Sequence, residues 1–328
     1  MKLGIIGSGI IVQEFLPKLV CMDGLEVIGI QDIKDMIGQV QTLCDKYHIP
    51  CATWDFDELC ASGIDTVYVA VPNFLHFDYC KKALEKGLNV IVEKPITSNI
   101  EEAELLSSIA KEKKVFLFEA VTTLYLPNYL KIKEWLPRIG DIKIVQSQYS
   151  QYSRRYDAFK EGQILPVFDP AKSGGALMDL NLYNFHYVMG LFGEPVNYKY
   201  YANIERDIDT SGILMMEYPT FHAVCIAAKD CKGTYGGIIQ GTLGCIKSSY
   251  PANLIGEVTL ELNDGTIEKY DDGSAKERLI PEFEVFIRTI NEKNYEFCYE
   301  CLNKSLNVSK VQTKARLDAG IIFAADKK

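Results

Sequence analysis

The chain has 328 residues, 48% of them hydrophobic, and a formal net charge of −9. Length and apolar content exclude a disordered chain and allow one large or two ordinary domains. The acidic balance argues against a nucleic-acid binder with its basic stripe, and no stretch reaches the about 18 uninterrupted apolar residues of a membrane span.

Lys2–Ile6 reads as a strand running into Gly7-Ser8-Gly9-Ile10-Ile11-Val12, with a helix to about Met22 behind it. A strand feeding a glycine turn explains this N-terminus better than a signal peptide does. The first glycine makes the tight turn, and the second lets backbone amides approach a pyrophosphate at the helix N-terminus. Val12 stands in place of a third glycine, which sets helix and strand slightly further apart. Leu25–Gln31 is the second strand, and Asp32 ends it where a carboxylate can accept from ribose hydroxyls. A 2′-phosphate there would meet like charge, so Asp32 favours NAD over NADP. The alternative is a plain turn with Asp32 in a solvated loop.

A helix is expected near Asp35–Tyr47, and the apolar strand Thr66–Val71 closes at Pro72-Asn73. Pro72 fixes the chain direction there, and Asn73 can bond a ribose or an amide. His76 follows as a further cofactor-site candidate, or as an ordinary residue opening the helix Phe77–Lys86 that Gly87 stops. The next strand, Leu88–Val92, finishes in Glu93-Lys94-Pro95. Proline cannot extend a ladder, so the strand ends and leaves two charges at the carboxyl edge of the sheet, where open α/β folds bind ligands. Ser98-x-x-Glu101 reads as a capping box opening a helix to about Lys113, and Val115–Phe118 is one more strand. Repeated βα units over residues 1–120 predict a doubly wound parallel sheet, a Rossmann domain.

Residues 121–328 read differently. Asp141–Tyr152, Val196–Arg206, Ser211–Tyr218, Phe221–Lys229, Ile238–Gly241, Gly244–Ser248 and Glu257–Leu262 are strand-like, with turns such as Asn263-Asp264-Gly265. They predict an α+β domain built on a large, mostly antiparallel open sheet. Helices interrupt or close it at Pro127–Leu136, Gly175–Leu191, Pro281–Asn291 and Tyr295–Leu317. The ten cysteines are scattered through apolar segments and read as reduced, buried thiols of a cytoplasmic protein. Cys298 and Cys301 have the spacing of a metal or redox half-site, but no second pair accompanies them, and no metal is expected.

The helix from Gly175 is apolar on most of its circumference, and Asp179, Tyr183 and His186 form one polar stripe on it at i, i+4 and i+7. Either the three bond one another as a structural cluster, or they line a polar substrate pocket. In the second reading Lys94 and Tyr183 face each other across a substrate. Free tyrosine, with a pKa of about 10, is a poor base, and a nearby ammonium favours its phenolate. Asp179 then orients the substrate hydroxyl and partners Lys94, and His186 binds substrate or extends a proton path. Arg154 and Tyr156, after the first strand of the second domain, are further substrate candidates, with a solvated loop as the alternative.

Together these residues resemble the Gfo/Idh/MocA family (glucose–fructose oxidoreductase, inositol dehydrogenase, rhizopine catabolism). The resemblance is carried by the glycine turn, Val71-Pro72-Asn73 with His76, Glu93-Lys94-Pro95, Glu119 with Pro127, Gly174-Gly175 through Tyr183, and Ala315–Ile321. It implies hydride transfer between a nicotinamide cofactor and a sugar, polyol, cyclitol or vicinal diol. It also implies Lys94 as the catalytic lysine, often before a cis proline, and Asp179 as the aspartate of the later helix. Tyr183 stands where inositol dehydrogenases carry histidine, which is similar to the dimeric dihydrodiol dehydrogenase branch and points away from an inositol. Asn181 stands where many members have glycine.

The expected protein is thus an NAD-dependent dehydrogenase with a Rossmann domain over 1–120 and a substrate and oligomerisation domain over 121–328. Its catalytic residues are Lys94, Asp179 and Tyr183. Its cofactor residues are Gly7, Ser8, Gly9, Ile10, Ile11, Asp32, Val71, Pro72, Asn73, His76, Glu93 and Lys94. Its partners are a small-molecule substrate and further copies of itself through the open sheet, with no nucleic acid and no membrane. The rival readings are a nucleotide-bound sensor or scaffold without turnover, and an oxidoreductase that holds its cofactor tightly.

Overall fold

The computed structural model describes residues 1–327, and residue 328, the last of the second expected domain, lies outside the described residues. Two compact units are present. In the first, strands β1 (Lys2–Ile6), β2 (Glu26–Gln31), β3 (Cys51–Thr53), β4 (Thr66–Val69), β5 (Asn89–Glu93) and β6 (Leu117–Ala120) pair in parallel in the order β3-β2-β1-β4-β5-β6. The order reverses beside β1, the switch point at which doubly wound sheets open a crevice for ligands. Helices α1 (Ile10–Leu19), α2 (Ile37–Tyr47), α3 (Phe56–Ala61), α4 (His76–Glu85) and α5 (Ile100–Lys113) connect the strands.

Two local features depart from the sequence expectation. The short β3 and α3 have too few residues to show a period, although Asp55 caps α3 by accepting from the amides of Asp57 and Glu58. The cap of α5 lies one residue later than the expected box. Asn99 Oδ1 accepts from Glu102 N at 2.9 Å, and Glu102 Oε2 accepts from Ser98 N at 3.2 Å. The reciprocal logic is that of a capping box, with asparagine in the capping role.

The second unit begins at Val121 and contains α6 (Pro127–Trp135), β7 (Ile142–Ser150), α7 (Arg154–Lys160) and α8 (Leu182–Phe192). The strands β8 (Asn197–Glu205), β9 (Ile208–Glu217), β10 (His222–Ala228), β11 (Tyr235–Gly241), β12 (Gly244–Ser248), β13 (Val258–Leu262) and β14 (Ile267–Tyr270) follow. The sheet order is β14-β13-β12-β11-β7-β10-β9-β8, parallel at β7/β10 and antiparallel elsewhere. Arg206 and Asp207, at φ 50° and 65°, turn the β8–β9 hairpin in the left-handed pair of conformations that matches strand twist. Val145, Leu214, Ala223, Ile239 and Ile246 on one sheet face share a core with Leu182, Phe185 and Val188 of α8. On β7 and β9, Ile144, Ile213 and Met215 are exposed.

The chain ends in α9 (Leu279–Asn291) and α10 (Tyr295–Asp318). Phe283–Asn303 belong to the first unit, whereas sequence analysis gave them to the second. The reason is aromatic packing: Phe283 lies 4.8 Å from Phe15 and 5.1 Å from Tyr68, and Tyr295 stacks 4.3 Å from Phe116. Among the described residues no helix is long and apolar enough to cross a membrane. All ten cysteines are free thiols, and Cys21 and Cys231 are exposed, contrary to the expectation of uniform burial.

Candidate active site

In the first unit, Gly7 sits at φ 102°, and a Cβ there would lie 2.4 Å from the carbonyl oxygen of Ala70. Only glycine makes this turn without displacing backbone. A Cβ at Gly9, the residue capping α1, would meet nothing within 4 Å, so the space over the helix N-terminus is open to a ligand. Ile10 is exposed there and Ile11 half-buried. The donor set of this turn therefore fits a dinucleotide pyrophosphate.

Ser8 is fully buried and serves the turn itself. Its amide and hydroxyl donate to Asp32 Oδ2 at 2.7 and 2.6 Å, and Ile33 N donates to Asp32 Oδ1 at 2.7 Å. Gln39 Nε2 donates to the Ser8 carbonyl and hydroxyl, and Gln13 Nε2 donates to the same carbonyl. A carboxylate offers about four acceptor positions, so Asp32 keeps about one for a ribose hydroxyl while it locks the turn. Gln13 and Gln39 went unnoticed in the sequence because a solvated glutamine on a helix looks the same.

The loops after β4 and β5 are tied together. His76 is fully buried, its Nδ1 2.7 Å from Pro95 O and its Nε2 2.9 Å from Val71 O. Burial, opposed by the two carbonyls, pulls its pKa down. The ring thus braces Val71-Pro72-Asn73 against the turn at Pro95. Tyr68 OH donates to Glu93 Oε1 at 2.5 Å, and Ile96 N donates to Glu119 Oε1 at 2.9 Å. The Lys94–Pro95 peptide is cis. Glu93, Pro95 and Ile96 are each pinned, and the half-buried Lys94 side chain leaves from the middle of this clamp.

In the second unit, Gly174 and Gly175 have separate steric reasons. A Cβ on Gly174 would lie 2.6 Å from Pro166 O, and one on Gly175, at φ 104°, would lie 2.1 Å from Asp209 Oδ1. Asp209, on β9, accepts from Leu177 N at 2.6 Å and from Tyr200 OH at 2.7 Å. Leu177–Asn181 then form one π-helical turn before α8, a local widening that is frequent at functional sites. Asn181 and Asn184 are fully buried in an amide network: Asn184 Nδ2 donates to Asn181 Oδ1 at 2.9 Å and Ile226 O at 3.0 Å, and Ser147 Oγ donates to Asn184 Oδ1 at 2.8 Å.

Asp179 projects from the π turn and forms an ion pair with Lys229, whose side chain is only 4% exposed. Sequence analysis assigned Asp179 the partner Lys94 and passed over Lys229. The Tyr183 ring is buried, 6.2 Å from that of Tyr149, which in turn meets Tyr235 edge-on at 6.0 Å. His186 is buried and lines a cavity of about 170 Å³ with Leu124, Met189, Glu194, Lys304 and Asn307. The π turn breaks the 3.6-residue register on which a single Asp179–Tyr183–His186 stripe rested. Arg154 is exposed on α7, a short helix where the alternative reading had a solvated loop. Tyr156 OH donates to Glu205 Oε1 at 2.7 Å, and that carboxylate pushes its pKa up to about 12.

Comparison with known proteins covers nearly the whole chain. The family model described as "Oxidoreductase family, NAD-binding Rossmann fold" matches residues 1–121, and the "GFO/IDH/MocA C-terminal domain" matches residues 129–247. The scyllo-inositol 2-dehydrogenase (NADP(+)) IolU of Bacillus subtilis is 31% identical over 99% of both chains. The trans-1,2-dihydrobenzene-1,2-diol dehydrogenase of Xenopus tropicalis is 26% identical over 66% of this chain and 65% of its own. Among solved structures, the 3-ketoreductase KijD10 of Actinomadura kijaniata, in complex with NADP and TDP-benzene, has the same fold, with a TM-score of 0.85 at 20% identity over 98% of this chain and 99% of its own. The chain belongs to the GFO/IDH/MocA family of NAD(P)-binding oxidoreductases.

Proposed function

We propose that this protein oxidises or reduces one hydroxyl-bearing carbon of a sugar, cyclitol, polyol or vicinal diol, with Lys94, Asp179 and Tyr183 as its catalytic residues. The bound nicotinamide accepts or supplies the hydride. In the oxidative direction, Asp179 accepts a hydrogen bond from a substrate hydroxyl. The Lys94 ammonium stabilises negative charge on the reacting oxygen, and Tyr183 takes the hydroxyl proton as the carbonyl forms. The observation that carries the reading is the clamp around Lys94: Tyr68, His76 and Glu119 fix the residues on both sides of a lysine that a surface role would leave mobile.

A Rossmann-type first domain and a substrate-binding second domain divide the work in this reading. Asp32 supports NAD over NADP, because a 2′-phosphate beside it meets a carboxylate, whereas the Bacillus relative is named for NADP(+). Affinities for the two dinucleotides measured by calorimetry decide the point, and tighter NADP binding refutes the Asp32 argument. Tyr183 pointed away from an inositol, yet the full-length relative is named for scyllo-inositol, so cyclitols belong among the candidates. The functional test is dinucleotide reduction across cyclitols, aldoses, polyols and trans-1,2-diols. Turnover on none of them, with dinucleotide bound, returns the protein to the sensor reading. The exposed Ile144, Ile213 and Met215 support pairing of the sheet with a second copy. Sedimentation of Ile213→Lys as a monomer, against a dimeric parent, is the expected result.

A further inference from the structure

Lys229 lies just beyond β10, beside a buried cluster that the reaction scheme does not use. Its side chain is 4% exposed, while that of its partner Asp179 is 31% exposed. A buried ammonium needs a strong reason, since desolvation costs several kcal/mol and only a well-placed counter-charge offsets it. Here the counter-charge is the carboxylate of the π turn. The Lys229 backbone is fixed as well: its N–H donates to Thr210 O at 2.8 Å. Asp209, one residue before Thr210, holds the start of the same π turn through Leu177 N.

Further charges lie in the same cluster. Asp230 Oδ2 accepts from the hydroxyls of Thr210 and Ser211, both at 2.7 Å. Tyr200 donates to Asp209, and burial with the charges of Asp209 and Asp230 holds that phenol well above its ordinary value. Lys229 also acts on Asp209, pulling its carboxyl down against the larger effect of burial. One ammonium thus faces two carboxylates and makes its ion pair with the one that is open to solvent.

We propose that Lys229 is a positioning residue for the reaction: its buried ammonium fixes the direction and the ionised state of Asp179, and so the seat of the substrate hydroxyl. The proposal rests on the reading of Asp179 as a substrate-contacting residue. Without Lys229 the Asp179 carboxylate would lose a counter-charge that the fold holds in one place. Paired with Lys229 the carboxylate is held in one direction, as orientation-dependent catalysis requires.

The test compares the full-length parent with Lys229→Met, Lys229→Arg and Asp179→Asn. Two readouts are used: carbon-13 spectra of carboxyl-labelled aspartate, with Asp179 assigned from D179N, and kcat and KM for the best substrate of the panel above. Loss of the cation in K229M should raise the Asp179 titration midpoint at least tenfold in proton affinity. The acidic limb of kcat/KM should move with it, and kcat/KM at neutral pH should fall at least tenfold. K229R should keep the parental midpoint and most of the activity, and a folded K229R guards against a K229M that does not fold. An unchanged Asp179 midpoint in K229M, or a midpoint raised in K229R as far as in K229M, overturns the pairing. A raised midpoint with unchanged kcat/KM leaves a structural ion pair and overturns the positioning role. Absence of turnover in the parent itself overturns the functional reading, and is told apart because the variants then lose nothing further.

Discussion

Replacing Asp209 by asparagine removes a carboxyl that burial holds away from its ordinary state. Its pKa rises from 3.8 to about 6, mainly through desolvation, with the Tyr200 hydroxyl, the Leu177 amide and Lys229 pulling the other way. A carboxyl that binds its proton more tightly in the folded chain adds its full stability below 3.8 and loses it as pH rises through about 6. That interval corresponds to about 3 kcal/mol, of which about 2 kcal/mol is regained on acidification from pH 7 to about pH 4.5. Asparagine can still accept from Leu177 N while its amide faces Tyr200 as a donor. The assay is urea unfolding of parent and Asp209→Asn across that pH range. Other carboxylates contribute equally to both proteins and cancel in the difference. The difference should favour the parent progressively by about 2 kcal/mol as pH falls. A difference flat to within about 0.5 kcal/mol would refute a desolvated, titrating Asp209.

Gly175→Ala should destabilise the second unit by about 3–5 kcal/mol, combining a left-handed alanine with the loss of at least one charged hydrogen bond as Asp209 retreats from a Cβ at 2.1 Å. Thermal melting reads it, and a shift too small for about 1 kcal/mol counts against the close approach. Gly7→Ala drives a Cβ to 2.4 Å from the Ala70 carbonyl and should weaken dinucleotide binding by calorimetry at least about tenfold, or about 1.4 kcal/mol. Unchanged affinity would detach the glycine turn from cofactor binding.

The parallel sheet was legible because its signals are local. A five-residue apolar strand runs into Gly7, and β5 finishes in two charges and a proline. Lys94 stood out because its neighbours made no sense on a surface, and those neighbours prove to be the pinned ones. What stayed hidden depends on pairing over distance. Lys229 reads as an ordinary strand-end lysine until Asp179, fifty residues earlier, is found against it. Asp209 sits in the polar run Asp209-Thr210-Ser211, whose function is visible only from Gly175 and Leu177. The π turn leaves no periodic trace, since one widened turn is invisible to a helical wheel. His76 is a related case: no local pattern separates a histidine that meets a ligand from one whose ring lies between two backbone carbonyls. Residues 283–303 return to the first unit through ring packing, which sequence order does not encode.

The central claim is that Lys94 acts on the reacting oxygen, and Lys94→Met tests it most directly. The bonds from Tyr68, His76 and Glu119 reach Glu93, Pro95 and Ile96, so the loop should persist. Steady-state kcat/KM on the best substrate of the panel should fall by about 10²–10³, the cost of losing one preorganised electrostatic donor. A Lys94→Met protein that binds the dinucleotide and retains the parental kcat/KM would contradict the account.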